Sequence, residues 1–347
     1  MKLLVTGATG FLGRYVVAEA LARGHTVRAV VRPAGDVNKI DGDVECVRVD
    51  LRSSRGLAEA CGGVDAVIHL AAAKTGDFYA QFAGTVLATE NLLKAMKEAG
   101  VRHIVAISSL SVYDYKKLWS FGRLDESSPL ESRPQDRDEY AYTKLLQEKL
   151  LRQFALQNGW RWTILRPGVI FGKGNLWTAR LGIQGRQFWL RTGAWAKLPL
   201  TYVENCAEAI VLALESPAAN GGIFNVIDDE PPTQRTYAAE LRRRWPSRAS
   251  IVPIPWTLMR AVAGLAELTN KILFKDRAKL PGLLIPARLH ARCKPLRFNN
   301  ERLKQSTGWK PKYSWREGLD RSMRASARSV AATTETTSTM ASAGVAG

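Results

Sequence analysis

The first half of the chain alternates short apolar runs with longer stretches of helical apolar spacing. Runs rich in Val, Ile and Leu predict strands at Leu3–Thr6, Thr26–Val31, Val44–Val49, Ala66–Leu70, Ile104–Ser108 and Trp162–Leu165. Between them, helical spacing predicts helices that each end just before a glycine, at Phe11–Ala22, Val86–Glu98 and Tyr140–Gln157. This alternation of strands and helices is typical of a parallel sheet with crossover helices.

The pattern is weaker after Gly172. A helix is predicted over Glu204–Glu215, a strand over Ile223–Val226, and a helix from a cap at Thr233 to Trp245. The stretch 251–274 is apolar and is interrupted by charges at Arg260, Glu267 and Lys271. From about Ala325 the chain is mostly Ala, Ser, Thr and Gly, and we expect this tail to be disordered because it can bury little surface.

The turn between the first predicted strand and helix carries the first chemical signal, Thr-Gly-Ala-Thr-Gly-Phe-Leu-Gly at residues 6–13. Gly7 permits a tight turn, Gly10 lets the backbone approach a pyrophosphate, and Gly13 allows the helix to pack closely. The helix start, with Phe11 and Leu12, offers free N–H groups to phosphate. In this context the glycines predict dinucleotide binding.

The end of the second predicted strand indicates which dinucleotide is bound. An acidic side chain there would accept hydrogen bonds from an NAD ribose, whereas this chain has Arg32. A guanidinium suits a 2′-phosphate, and Arg14 at the start of the first helix offers a second one. The sequence therefore favours NADP(H), with NAD(H) as the alternative.

Composition and charge exclude several classes. Hydrophobic residues at 46% and charged residues at 24% indicate an ordinary globular protein. No apolar stretch reaches the roughly 18 residues that a membrane span needs. Met1 and Lys2 run straight into the first strand without room for a leader, so we expect a cytoplasmic protein. The four cysteines show no metal-ligand spacing, and no metal site is predicted.

Several further motifs together resemble the extended short-chain dehydrogenases/reductases, the epimerase/dehydratase superfamily, and in particular its 3β-hydroxysteroid dehydrogenase and dihydroflavonol reductase-like branch. The resemblance runs nearly to Leu319 and includes Phe298-Asn299, Gly308-Trp309-Lys310-Pro311 and Glu317-Gly318-Leu319 near the end. It implies that the cofactor is contacted at Asp50, Leu51, Ala71, Ala72, Tyr140, Lys144, Pro167, Gly168 and Val169. It also implies a doubly wound (Rossmann) α/β domain over residues 1–172, completed by parts of 199–228, a smaller substrate lobe over 173–324 and a tail over 325–347.

The resemblance implies a catalytic set of Ser109, Tyr140 and Lys144. A spacing of four residues places Tyr140 and Lys144 on one face of a helix, where the ammonium favours the phenolate and also reaches the nicotinamide ribose. Ser109 would hold the substrate oxygen beside Tyr140 during proton transfer. Tyr113 and Lys117 have the same spacing, but Tyr113 follows a strand too closely to begin the long helix, so Tyr140 is preferred.

Departures from the family pattern reduce the set of reactions that the sequence favours. Dehydratases carry an Asp-Glu pair where this chain has Leu110-Ser111, and many nucleotide-sugar epimerases carry Asn where it has Val169. Thr85 and Asn205 also stand where Asn and Asp are usual, which puts local packing in doubt. We therefore predict oxidation or reduction of an alcohol/ketone pair on a bulky small-molecule substrate that is apolar or lipid-like.

Two alternatives for the whole protein are an epimerase with tightly held NAD and a non-catalytic dinucleotide sensor. The complete Ser, Tyr and Lys set argues against the sensor. A nucleic-acid binder is not expected, because Arg242-Arg243-Arg244 lacks interleaved stacking aromatics.

The last third of the chain holds most of the net charge of +18, since residues 233–330 contain 22 Lys and Arg against 6 Asp and Glu. Within it, 251–298 combines apolar residues at helical spacing with the cations Lys275, Arg277 and Lys279. This segment is expected to be a substrate lid, a contact with the inner surface of a membrane, or a helix packed on its own lobe. A homodimer through the helices Val86–Glu98 and Tyr140–Gln157 is also expected, since the resembled family often pairs there.

Overall fold

The structure is a computed structural model that describes residues 1–185, 187–244, 250–275, 278 and 280–324. Its strands are β1 (Lys2–Thr6), β2 (Thr26–Val31), β3 (Glu45–Arg48), β4 (Ala66–His69), β5 (His103–Ile107), β6 (Arg123–Leu124), β7 (Arg161–Pro167), β8 (Val169–Phe171), β9 (Ile183–Gln184), β10 (Phe188–Thr192), β11 (Leu200–Tyr202), β12 (Gly222–Val226), β13 (Ser250–Ile254) and β14 (Arg297–Phe298). Its α-helices are α1 (Phe11–Ala22), α2 (Leu57–Cys61), α3 (Phe78–Phe82), α4 (Ala88–Glu98), α5 (Glu139–Gln157), α6 (Val203–Glu215), α7 (Gln234–Arg244), α8 (Trp256–Phe274), α9 (Pro286–Cys293) and α10 (Glu301–Thr307), and residues 315–324 are also helical.

The main sheet has seven parallel strands in the order β12-β7-β5-β4-β1-β2-β3. Strand order reverses between β1 and β4, which places a crevice at their carboxyl ends. This topology confirms the predicted doubly wound α/β domain. Strand β12, from within 199–228, pairs with β7 at the end of this sheet.

Helices cover both faces of the sheet. On one face, α1, α6 and α10 bury residues such as Val16, Ile210 and Leu303 against β1, β2 and β12. On the other, α2, α4 and α5 bury residues such as Leu57 and Leu92. Leu303 and Trp309 lie in the core of the sheet, so the last part of the predicted 173–324 lobe packs with the dinucleotide domain.

The predicted elements of the first half agree closely with the structure. Helix α1 has the predicted bounds, and the strands differ by one or two residues. The helix predicted over Val86–Glu98 begins earlier, with a π-helical turn at Ala83–Leu87, and continues as α4.

The second lobe holds most of the differences. Short strands form a three-stranded sheet, β13-β10-β9, and two-stranded pairs of β8 with β11 and of β6 with β14. The apolar stretch from 251 begins as β13 rather than as a helix, because β-branched residues favour a strand there and Pro255 stands just before α8. The predicted helix end at Trp245, and the predicted tail at 325–347, lie outside the described residues.

Within the described ranges, no helix is long and apolar enough to cross a membrane. The same ranges contain no cluster of His, Cys, Asp and Glu side chains that could hold a metal ion.

Candidate active site

The glycine turn between β1 and α1 lies at the crevice and leaves no room for side chains. Gly7 has a φ of 71°, a left-handed conformation that favours glycine. A Cβ at Gly13 would lie 2.1 Å from the Gly7 carbonyl oxygen, and one at Gly7 would lie 3.0 Å from the Ala71 nitrogen. Gly10 precedes the helix in an extended conformation without a side-chain cap, so the first N–H groups of α1 remain available to an anion.

Two arginines lie near the predicted ribose position. Arg32 follows β2 and Arg14 lies in the first turn of α1, and both are exposed. Asp50, just after β3, bonds Arg52 with a closest distance of 2.7 Å, and this contact holds the pKa of the carboxyl below its usual range. Arg32 adds to that effect, so it lies within electrostatic reach of Asp50.

Ser109 and Tyr140 meet at the carboxyl end of β5. Ser109 directly follows the strand region, and Tyr140 lies in the first turn of α5, whose N-terminus is capped by Asp138 through a 2.7 Å bond from the Ala141 N–H. Burial raises the pKa of Tyr140 to about 12, while a hydrogen bond with the Ser109 side chain opposes part of that rise. The two predicted hydroxyls therefore lie near enough for Ser109 to affect the pKa of Tyr140.

Lys144 is buried one turn further along α5. Its ammonium donates to the Ile107 carbonyl at 2.6 Å and to the Gln147 amide oxygen at 2.9 Å. Burial lowers the pKa of Lys144 to about 7, and the nearby Lys74 charge acts in the same direction. An ammonium has three donors, so these two bonds leave one for a further acceptor.

A chain of buried hydrogen bonds connects Lys144 to the end of β1. Gln147 donates to the Thr89 hydroxyl at 2.9 Å, and Thr89 donates to a backbone carbonyl one turn earlier. His69 bridges from Thr89, at 2.9 Å, to the Thr6 hydroxyl, at 2.7 Å. Burial lowers the pKa of His69 to about 3, so its ring is neutral at physiological pH.

The second Tyr-x-x-x-Lys sequence has a different environment. Tyr113 is fully buried, donates to the Asn225 side chain at 2.8 Å and accepts from Arg166 at 2.9 Å. Arg166 in turn forms a bidentate ion pair with Glu148 at 2.6 and 2.9 Å, with both side chains buried. Tyr113 therefore lies inside the protein, away from a substrate.

A cavity of about 390 Å³ opens beside Tyr140. Its lining is polar and mostly charged, and comprises Lys74, Gln81, Asp138, Glu139, Tyr140, Arg288 and Arg292. Arg288 donates to the Arg137 carbonyl, which ties α9 to the loop before α5. The buried Gln81 amide oxygen has no hydrogen-bond partner in the described part of the chain, while its amide nitrogen donates to the Gly76 carbonyl at 3.0 Å.

The remaining predicted cofactor residues lie along the carboxyl edge of the sheet. Ala71 and Ala72 follow β4, and Leu51 follows β3. Pro167 ends β7, and Val169 begins β8 and donates its N–H to the Pro199 carbonyl at 2.7 Å. Gly168 lies between them, where a Cβ would come within 2.0 Å of the same Pro199 oxygen.

Thr85 and Asn205, the two departures from the family pattern that put local packing in doubt, both form hydrogen bonds. The Thr85 hydroxyl accepts from the Ala73 N–H at 3.1 Å, next to the cofactor edge. Asn205 exchanges hydrogen bonds with the Tyr313 backbone at 2.7 and 3.1 Å, which ties α6 to the C-terminal segment.

Several site residues were not predicted from the sequence. The lining residues Lys74 and Gln81 and the relay residues Thr89 and Gln147 carry no distinctive spacing. Arg288 and Arg292 belong to the basic segment 251–298, and the structure places both at the cavity. Asp138 has a local signal, since it is an acidic residue two positions before the predicted helix Tyr140–Gln157.

These residues fit a dinucleotide at the crevice. The glycine turn is a cradle that any Cβ would fill, and the start of α1 offers backbone donors to a pyrophosphate. Arg14 and Arg32 would hold the ribose end, and Lys144 has a donor left for the nicotinamide ribose.

Comparisons with known proteins support the same assignment. The profile of the NAD dependent epimerase/dehydratase family matches residues 3–226. A 4-hydroxy-2-methyl-3-oxo-4-farnesyl-3,4-dihydroquinoline-1-oxide ketoreductase from Stigmatella aurantiaca is 29% identical, over 92% of this chain and 95% of its own. A 3 beta-hydroxysteroid dehydrogenase/Delta 5→4-isomerase from Mycobacterium tuberculosis is 30% identical over 74% of each chain.

Among solved structures, the UDP-glucose 4-epimerase of Thermus thermophilus in complex with NAD superposes with a TM-score of 0.69. The match covers 93% of this chain and 99% of that chain at 24% sequence identity. At that identity the likeness concerns the fold alone.

Proposed function

The chain belongs to the NAD dependent epimerase/dehydratase family of extended short-chain dehydrogenases/reductases and is an NAD(P)-dependent oxidoreductase, and from that premise we propose that it interconverts an alcohol and a ketone or aldehyde. The proposed cofactor is NADP(H), and the proposed substrate is bulky and apolar. The observation that carries the proposal is the placement of Tyr140 at the cavity, with Lys144 buried one turn further along α5 and Ser109 near enough to affect the Tyr140 pKa.

Tyr140 is the proposed acid and base. A pKa of about 12 keeps its phenol protonated at neutral pH, so it can donate a proton to the oxygen of a ketone as that oxygen becomes an alcohol. Ser109, which lies near the phenol, would donate to the same substrate oxygen and hold it in place. When bound, the nicotinamide supplies or accepts the hydride.

Lys144 is proposed to lower the pKa of Tyr140 during that proton transfer. Its pKa of about 7 means that the ammonium and the neutral amine are both populated near neutral pH. In the ammonium form its positive charge favours the phenolate, which lowers the cost of removing the Tyr140 proton in the oxidative direction. Gln147 and the Ile107 carbonyl fix its position.

The proposed substrate class rests on two kinds of support. The ketoreductase and the hydroxysteroid dehydrogenase act, by their names, on a farnesylated and on a steroid substrate. The polar lining of the cavity next to Tyr140 suits the reacting oxygen of such a molecule rather than its apolar body. The apolar body would then extend out of the mouth of the cavity.

Replacing Tyr140 with Phe tests the mechanism, because the ring remains and the transferable proton is removed. Turnover of NADPH with a 3-ketosteroid or a prenylated ketone should fall by about 10²–10⁴-fold. Tyr142→Phe is the matched control, since Tyr142 lies on the same helix, packs on Phe78 with a ring separation of 5.2 Å, and should keep full turnover.

NADPH fluorescence should show that Tyr140→Phe still binds cofactor. Equal turnover of Tyr140→Phe and the parent protein would refute the assignment. Copurified NAD together with isomerisation of a sugar substrate, and no net consumption of cofactor, would support an epimerase instead.

The NADP(H) preference is supported by exposed arginines, with no acidic residue, at the end of β2 and the start of α1. Paired titrations should show tighter binding of NADPH than of NADH, and Arg32→Ser should weaken NADPH binding by about tenfold or more with little effect on NADH. Arg102 lies just before the amino end of the internal strand β5, away from the carboxyl ends where the cofactor is proposed to bind. Arg102→Ser should therefore change neither affinity. Tighter NADH binding by the parent protein would contradict the preference.

A homodimer is part of the proposal. Apolar side chains of Tyr79, Phe82 and Leu87 are exposed next to α5, on the side of the sheet where α4 and α5 pack. A monomeric mass by light scattering at micromolar concentration would reject pairing through this face.

A further inference from the structure

Helix α8 carries a continuous apolar face that the protein leaves uncovered. Leu265 and Ile272 are each 65% exposed and Leu273 is 70% exposed. The same face includes Leu258, Val262 and Leu268, all exposed. Single exposed apolar residues are common on protein surfaces, but a stripe along a whole helix marks an interaction surface.

The opposite side of α8 already has a partner. Trp256 packs edge-on against His290 of α9 at 5.2 Å, and Ala263 is buried with Leu289 and Cys293. Asn270 is also buried and exchanges hydrogen bonds with the Ala278 backbone at 3.1 and 3.2 Å. Because these contacts hold one side of the helix, the apolar stripe on the other side stays outward.

The charges around the stripe are mostly positive. Arg260, Lys271 and Lys275 are exposed on or at the end of α8. Glu267 is the acidic residue of this helix, and Lys271 lies 3.6 Å from it. The cations Arg277 and Lys279, named above with Lys275, lie outside the described residues.

We propose that the exposed face of α8 docks this protein on the surface of an anionic lipid bilayer. The helix would lie in the plane of the interface, with its apolar stripe among the acyl chains and its cations at the lipid phosphates. Apolar side chains and cations both lie on this helix, and together they complement the acyl chains and phosphates of an anionic bilayer. This complementarity favours a lipid surface as the partner. A second copy docked on this face would bring the cations of two α8 helices together, which local electrostatic repulsion opposes.

A lid that closed over the cavity would not use the exposed face of α8. The cavity beside Tyr140 is lined from this region by Arg288 and Arg292 of α9, and none of its lining residues belongs to α8. Since α8 packs on α9, docking would bring the mouth of the cavity close to the lipid surface. This last consequence rests on the proposed function, because a lipid-like substrate could then enter the site from the membrane.

Flotation of the full chain with vesicles tests the docking directly. The chain should bind vesicles that contain phosphatidylglycerol, bind pure phosphatidylcholine vesicles at least tenfold more weakly, and be released by salt. The double variant Leu265→Glu, Ile272→Glu should lose at least tenfold in binding. Lys271→Glu with Lys275→Glu should lose a similar factor on anionic vesicles alone.

Leu156→Glu is the matched control, because Leu156 is 66% exposed but lies on α5, and it should bind as the parent does. NADPH binding and the thermal midpoint of each variant verify that it is folded, and vesicle binding is read without any substrate. Docking can therefore fail while the oxidoreductase activity stands, or stand while that activity fails.

Three results would overturn the proposal. The first is no binding to either vesicle, and the second is equal binding to both. The third is a parent protein whose dimer mass falls to that of a monomer in the Leu265→Glu, Ile272→Glu variant, since this would assign the face to a second copy.

Discussion

Around Lys144, polar side chains are buried, whereas on α8 apolar side chains are exposed. His69, Thr89 and Gln147 form a closed series of hydrogen bonds inside the doubly wound domain. Leu265 and Ile272 on α8 have more than half of their surface in solvent. Burying polar groups costs free energy unless they form hydrogen bonds, and exposing a large apolar face costs free energy unless another surface covers it.

In the first region the compensation lies inside the chain, because every polar group in the series has a partner at 2.6–2.9 Å or is tied to backbone. In the second region the described chain offers no such partner, so the compensation must come from outside. The comparison teaches that the doubly wound domain pairs its buried polar groups internally, whereas the described chain leaves the apolar face of α8 uncovered. Three pairs of matched substitutions test that difference.

The largest expected difference concerns ion pairs. Glu148→Gln would leave the buried Arg166 guanidinium without its counter-charge and should reduce the free energy of unfolding by about 3–5 kcal/mol. Glu267→Gln removes the exposed partner of Lys271 and should cost about 1 kcal/mol or less. Urea denaturation of both variants measures the difference, and equal small losses would show that water reaches Arg166.

The second difference concerns glycines in helices. Gly13→Ala in α1 would drive a Cβ into the Gly7 carbonyl, 2.1 Å away, and should destabilise the fold by about 1–3 kcal/mol while weakening NADPH binding. Gly264→Ala in α8 meets no atom within 4 Å and should stabilise the helix by about 0.5–1 kcal/mol.

Thermal midpoints and NADPH titration report both glycine variants. A lower midpoint for Gly264→Ala would mean that another part of the molecule packs on the outer side of α8. Unchanged cofactor affinity in Gly13→Ala would remove the glycine turn from the cofactor site.

The same contrast explains what the sequence could predict. The bounds of α1 were predicted correctly because the glycine turn before it and Gly24 after it are local signals. The parallel strands were found because a strand covered on both faces reads as an apolar run. The pairing of Ser109 with Tyr140 came from a family resemblance whose motifs lie in two separate segments, and no periodicity alone would have joined them.

The remainder could not be predicted for physical reasons. Strands such as β9 and β14 have two residues, too few to show a period. The cavity draws Lys74, Gln81 and Arg288 from distant segments that only tertiary packing brings together. Helical spacing indicated α8, but a helix with apolar residues on two sides does not reveal which side is covered.

Near neutral pH the smallest expected effect is a dependence of stability on pH that both regions share; it grows as the pH is lowered. Burial lowers the pKa of His69 to about 3 and that of His290, on α9, to about 4. Each ring stays neutral in the folded protein, while the unfolded chain takes up a proton near pH 6.5. The unfolded state therefore binds more protons below that pH, and stability falls as the pH is lowered.

Each such histidine should contribute up to about 1.4 kcal/mol of lost stability per pH unit, between pH 6.5 and its own lower pKa. His69→Gln and His290→Gln should each flatten the acid side of the stability curve measured by urea denaturation at a series of pH values. His103, whose pKa burial lowers to about 4, keeps part of the slope in both variants. If His69→Gln flattens the curve and His290→Gln does not, the α8–α9 pair opens before the doubly wound domain unfolds, because its histidine then titrates without affecting the global transition. If neither variant changes the slope, both rings are reached by water in the folded protein, and the buried series from Thr6 to Lys144 is not closed.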